Sequence, residues 1–169
     1  MARCSIEAAS KGEVFAPERV GEDLATTSLG AFVSLYRNGA LRGCIGNCFP
    51  QKPLYQTAME AAVSSASRDH RFSPLQIEEL PEITIEISVL SPLRELGHPM
   101  ELEVGRHGVY VMHGVQHGVL LPQVALQQGW NKQGFLEAAC MKAGLMAGSW
   151  QMIGTRVFVF TVQLISEKS

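Results

Sequence analysis

Tyr36-Arg37-Asn38-Gly39-Ala40-Leu41-Arg42-Gly43-Cys44-Ile45-Gly46 is the stretch whose reading decides the fold. Asn38-Gly39 between two β-prone runs predicts a two-residue hairpin, because the type I′ turn that matches strand twist needs positive φ at both central residues. Counting outward from the turn pairs Arg37 with Ala40, Tyr36 with Leu41, Leu35 with Arg42, Ser34 with Gly43 and Val33 with Cys44, and opposed residues share a face. One face then carries Phe32, Ser34, Tyr36, Leu41 and Ile45, and the other Val33, Leu35, Arg42 and Cys44. Both read as at least half covered, which sets the hairpin inside a sheet with helices or further strands over it. An arginine in that setting needs a carboxylate or several carbonyls around it.

The same count sets Arg42 and Cys44 side by side, looking into a pocket. A cation one pleat away favours thiolate over thiol, and the thiolate is the nucleophile and metal ligand. Gly43 and Gly46 let a substrate or another backbone approach closely. The structural alternative makes Cys44 a small core residue, Arg42 half of a buried ion pair and the glycines a packing device.

With 169 residues, 14 basic and 16 acidic, the chain fits one domain that needs no disulfide staple. The charge balance and the lack of a basic run give no footprint for nucleic acid or a membrane surface. Met1-Ala2-Arg3-Cys4-Ser5-Ile6-Glu7 has no signal-type apolar core, and no run approaches the ~20 apolar residues that span a bilayer, so a cytoplasmic location is expected. Cys4, Cys44, Cys48 and Cys140 show no framework spacing, which suits reduced thiols there.

Residues 1–29 are weakly patterned and predict only short helical turns. Pro53 at a first helical position predicts a helix to about Ser67 with Leu54, Ala58, Ala61, Ala62 and Ser65 inward. Ser73 and Gln76 read as a capping box opening a short helix from Pro74 through Leu80 that Pro81 stops. Ile83–Leu90 alternates at period 2 and is the clearest strand, with Glu86 on its polar face; beside the hairpin, Glu86 could meet Arg42 or act as a base. Residues 92–103 read as a connector ending in a short strand, and Val109–His113 with Val119–Leu121 as a second hairpin. His107, His113 and His117 match no established ligand spacing, so no metal is expected. Asn131 caps a predicted helix from Lys132 to Ala143 that ends at Gly144 and buries Cys140. Arg156–Leu164 reads as one strand buried on both faces, followed by a frayed tail, residues 166–169.

The frame Gly30–Gly46 with Leu41-Arg42-Gly43-Cys44-Ile45-Gly46 resembles the signature of the AMMECR-type domain family. The resemblance continues through Asp69, Arg71, Phe72 and Pro74, the Glu86 strand with Ser91-Pro92, Gly105-Arg106-His107-Gly108 and Leu121-Pro122-Gln123, as far as Trp150. It implies an α/β (α+β) fold: a mixed, largely antiparallel sheet flanked by helices, in a single domain over residues 1–169 with a smaller hairpin-bearing lobe around 91–129. The hexapeptide is then expected near the cleft between sheet and lobe. The family's prokaryotic members resemble protein A of the AmmeMemoRadiSam system, which implies dioxygenase-like and radical-SAM pathway proteins as partners; no cofactor is expected. Asp69 is a candidate partner for Arg42, or braces its loop. Cys44-x-x-x-Cys48 lacks the third cysteine of a radical-SAM loop, with Gln51 in its place, so no cluster is expected.

Two functions stay open. One is an accessory or binding protein using Leu41, Gly43, Ile45, Gly46, Asp69, Arg71, His107 and Gln123. The other is an enzyme with Cys44 as nucleophile or covalent acceptor, Arg42 as its activating cation and Glu86 or His107 as base.

Overall fold

The structure is a computed structural model and describes residues 1–167. Its elements are α1 (Ala2–Ser10), α2 (Glu22–Thr26), β1 (Ala31–Arg37), β2 (Ala40–Asn47), α3 (Leu54–Ser67), β3 (Ile83–Leu90), β4 (Arg94–Glu95), β5 (Gly108–His113), β6 (Gln116–Leu120), α4 (Pro122–Gln128), α5 (Lys132–Lys142), β7 (Thr155–Phe160) and β8 (Val162–Ser166). Short 3₁₀ turns cover Ile77–Glu82, Pro99–Glu101 and Ser149–Gln151. The chain divides into two compact units, Met1–Leu90 with the segment from Gln163 onward, and Ser91–Val162.

The first unit is a four-stranded sheet in the order β2-β1-β3-β8. β1 pairs antiparallel with both β2 and β3, so the hairpin is interior on its β1 side and β2 is an edge. The turn forms as its residues dictate, with Asn38 at φ 51° and Gly39 at φ 77°. The register follows the count only as far as Tyr36 opposite Leu41. A β-bulge at Arg42 then inserts one residue, so Leu35 faces Gly43, Ser34 faces Cys44 and Val33 faces Ile45. That shift corrects both faces: Cys44 joins Phe32, Ser34 and Tyr36, while Ile45 joins Val33 and Leu35.

α3 packs on the Val33–Leu35 side, and its buried residues are Leu54, Thr57, Ala61, Ala62 and Ser65. Thr57 takes the place expected of Ala58, and Pro53 caps the helix from outside it. Gly43 makes the close approach necessary, because a Cβ there would collide with the Ser65 carbonyl. α1 is longer than the turns expected and buries Ile6 in the same core. The capping box falls on Gln76 and Glu79, not on Ser73, and Pro81 lies inside the 3₁₀ turn it was expected to stop.

The second unit is a sheet in the order β4-β7-β5-β6 with α5 against it. Gly118 admits that helix, since a Cβ would strike the Ala143 nitrogen at 2.5 Å. Asn131 caps α5 as expected, its Oδ1 accepting from the Gly134 amide at 2.9 Å. α4 was not expected; Pro122 starts it and Gly129, left-handed at φ 65°, closes it.

The apolar run 156–164, read as one strand, is two. The chain leaves the second sheet at Thr161, whose carbonyl accepts from the Ser91 amide and whose amide donates to Ser91 Oγ, and β8 then joins the first sheet. Of the tail expected to fray, Ser166 ends β8 and Glu167 pairs with Arg3 at 2.6 Å. Lys168 and Ser169 lie outside the described residues. No helix among the described residues is long and apolar enough to cross a membrane.

Candidate functional site

The bulge turns the Cys44 side chain onto the face it shares with β1 and β3. Register runs from Cys44 to Ser34 and from Ser34 to Glu86, so the three stand in a row across three strands. The Ser34 hydroxyl donates to Cys44 Sγ at 3.3 Å. Tyr36 and Phe32 flank Ser34 on the same face by strand alternation. Burial is the main cause that raises the Tyr36 pKa, and the charge of Glu86 adds to it. Burial likewise raises the Glu86 pKa.

On the outer edge of β2 a side-chain pair replaces the missing strand. Asp69 Oδ2 accepts from the Cys44 amide at 2.8 Å, and Arg71 Nη2 donates to the Cys44 carbonyl at 3.3 Å. The two are joined to each other, Arg71 Nε to Asp69 Oδ1 at 2.9 Å and Nη2 to Oδ2 at 2.6 Å. The Arg71 hydrogen bonds are the largest cause holding the Asp69 carboxyl well below the usual carboxylate range. Arg71 is raised chiefly by Asp69, and the charge of Cys44 acts on it in the same direction. The guanidinium also lies over the Phe72 ring, 5.4 Å from its centroid.

One expected pairing is therefore corrected. Arg42 does not stand beside Cys44 on the sheet; it is taken up by Glu79, through Nε at 3.1 Å and Nη2 at 2.9 Å, and by the Ser73 carbonyl at 2.8 Å. Its hydrogen bonds are the leading cause that lowers the Glu79 pKa. Of the two roles open to Asp69 it takes the loop-bracing one, and it also holds the strand edge. The cation next to Cys44 is Arg71.

Ser65 was placed among the inward residues of α3, but its hydroxyl does more than pack. Buried to 2% exposure, it accepts from the Ile45 amide at 2.8 Å and lies 2.8 Å from the Val33 carbonyl, wedged between paired strands. Gly46 is needed for packing, since a Cβ would meet the Ala31 carbonyl and the Phe32 ring. Leu41 is exposed at the start of the motif and Phe49 just beyond its end. His107 and Gln123 belong to the second unit. His107 Nδ1 accepts from the Glu103 amide at 3.1 Å, and burial lowers its pKa. His113 Nδ1 pairs with Thr155 Oγ1 at 2.9 Å, and His117 Nδ1 lies 3.3 Å from the Val115 carbonyl. Among the described residues no three His, Cys, Asp or Glu side chains come together to hold a metal.

Ser34, Tyr36, Ser65 and Glu79 are the residues that sequence reasoning passed over. Ser34 and Tyr36 carried a signal, being the polar positions of an otherwise apolar strand. Ser65 and Glu79 carried none beyond ordinary helix chemistry.

Two antiparallel sheets, with a cysteine-bearing hairpin on the edge of the first, define an α+β protein whose distinctive feature is the Leu41–Gly46 motif. The chain belongs to the AMMECR1 family, whose model matches residues 1–165. It is 41% identical over 150 residues to protein TK0174 of Thermococcus kodakarensis, covering 83% of this chain and 73% of that protein. It is 37% identical over 175 residues to protein NEQ441 of Nanoarchaeum equitans, covering 99% and 97%. The crystal structure of the uncharacterised protein PH0010 from Pyrococcus horikoshii matches with a TM-score of 0.94 at 37% identity, over 99% of this chain and 88% of that one.

Proposed function

We propose that this AMMECR1 protein is a thiol-dependent cytoplasmic protein of an AmmeMemoRadiSam-like pathway, in which Cys44 attacks or covalently holds a small substrate and the whole chain works as one domain. The observation that carries this reading is the Ser34 hydroxyl donating to Cys44 Sγ at 3.3 Å while Arg71 is fixed to the same residue's carbonyl. A hydrogen bond donated to sulfur favours thiolate over thiol, and a cation held at the same residue acts in the same direction. Arg42, engaged by Glu79, has no part in that activation.

Alkylation of Cys44 by iodoacetamide against pH, in a Cys48→Ser background, tests the reading. An apparent pKa below the free-thiol value of about 8.5 is expected, moving up toward it in Arg71→Ala. A titration at or above 8.5 with slow labelling removes the nucleophile. Burial pushes the Cys48 thiol up to about 12, so in the native chain Cys48 should stay unlabelled at neutral pH.

Leu41 at 37% exposure and Phe49 at 53% support a second reading, in which the ends of the motif dock a dioxygenase-like or radical-SAM pathway protein. Under it Cys44→Ser keeps partner binding and Leu41→Ser with Phe49→Ser loses it in a pull-down.

A further inference from the structure

We propose that the Cys44 face takes a substrate bearing a positively charged group, an ammonium or guanidinium, which Glu86 holds while its electrophilic carbon lies at Cys44 Sγ. This rests on Cys44 as the attacking thiol and adds the charge class of what it attacks.

The Glu86 carboxylate has neither a hydrogen bond nor an ion pair among the described residues, although it is half-buried. The guanidinium groups of the hairpin and of the loop that follows α3 are each committed elsewhere. Arg71 is bound through two nitrogens to Asp69, Arg42 through two to Glu79, and Arg37 to Glu82 at 2.8 Å and Glu79 at 3.0 Å. Those three arginines pair with Asp69, Glu79 and Glu82, and none of them pairs with Glu86. A partly desolvated carboxylate without a partner is unfavourable unless something supplies a cation or a proton.

The surroundings of Glu86 suit a cation. Tyr36 and Phe32 stand on the same face of β1, and aromatic rings attract ammonium and guanidinium groups. An anionic substrate would meet both Glu86 and the thiolate, two like charges, at one face.

The register fixes the spacing. Glu86 and Cys44 are separated by Ser34 across two inter-strand steps, on the order of 10 Å between backbones. With an ion pair at one end and an attack distance at the other, the charged group and the reacting carbon lie about 5 Å apart, roughly four bonds. In the reaction the thiol's proton passes to solvent and a sulfur electron pair forms the new S–C bond. The leaving group departs with the electron pair of the bond it breaks and takes up a proton.

Methanethiosulfonates of different charge test this on the intact Cys48→Ser chain. In each, the thiolate attacks the thiosulfonate sulfur, a disulfide forms and methanesulfinate leaves. Rates at Cys44 are measured for the aminoethyl, methyl and sulfonatoethyl reagents and divided by those of a small free thiol. Each ratio cancels the thiolate fraction, so it stands even if the pH titration of Cys44 fails. The aminoethyl over sulfonatoethyl ratio should exceed the free-thiol ratio by about tenfold or more. Glu86→Gln should bring it back toward the free-thiol value, and Glu86→Asp should keep most of it. A native ratio equal to that of the free thiol overturns the proposal whether or not the variants fold. A Glu86→Gln ratio equal to the native one overturns it too, because the preference would then come from elsewhere.

Discussion

Asp69 shows what a single side chain decides in this protein. One carboxylate, 6% exposed, takes the Cys44 amide, the Arg71 amide and two Arg71 guanidinium nitrogens. Removing it leaves a strand-edge amide and a guanidinium without their acceptor, so Asp69→Ala should cost about 3 kcal/mol in urea unfolding at pH 7. The pH dependence has a definite sign. Because the folded-state pKa lies below the unfolded value of about 3.9, the stabilisation is complete above that value and is lost as pH falls through the folded one. The stability gap between the native chain and Asp69→Asn should therefore be widest near pH 6 to 7 and shrink below about pH 4. A gap that stays constant down to pH 2 would show that the carboxyl is not held ionised.

At the scale of the element, the hairpin and α3 are fitted to each other through Gly43 and Ser65. Gly43 lies flat against the Ser65 carbonyl, Ile45 two residues on gives its amide to the Ser65 hydroxyl, and Cys44 between them points to the opposite face. Gly43→Ala must move helix backbone rather than a flexible side chain. A loss of about 2–4 kcal/mol is expected in urea unfolding, with a slower Cys44 alkylation rate in the fraction that folds. A variant as stable as the native chain would mean that α3 is free to shift. The hairpin itself was legible because Asn38-Gly39 is a local instruction, and so were β3 and α5, through period 2 and through cap and stripe. The bulge was not. Nothing in Leu41-Arg42-Gly43 announces it, and the partner of the inserted Arg42 is Glu79, 37 residues away.

For the whole molecule, the division into two sheets follows from where the last strand run breaks. Thr161 separates β7 from β8, and an apolar sequence that looks continuous serves two different sheets. Each unit has its own core, the first around Val33, Leu35 and Ile85 and the second around Phe135, Leu136 and Val111. Phe135 is fully buried, so Phe135→Ala should lower stability by about 3–5 kcal/mol, read from the urea midpoint. A cost under 1 kcal/mol would show that the second core does not share in cooperative unfolding.

By itself the amino-acid sequence determined the family, the hairpin turn and the strand at Ile83–Leu90. Those features are written in neighbouring residues: turn dipeptides, period and motif. Only the tertiary structure decided that Ser34 stands between Cys44 and Glu86, that Arg71 and not Arg42 is the cation bound to the Cys44 backbone, and that Glu79 takes Arg42 away. The reason is physical: one residue inserted into a strand reverses which face every later side chain occupies, and the partners of the inserted residue lie far along the chain.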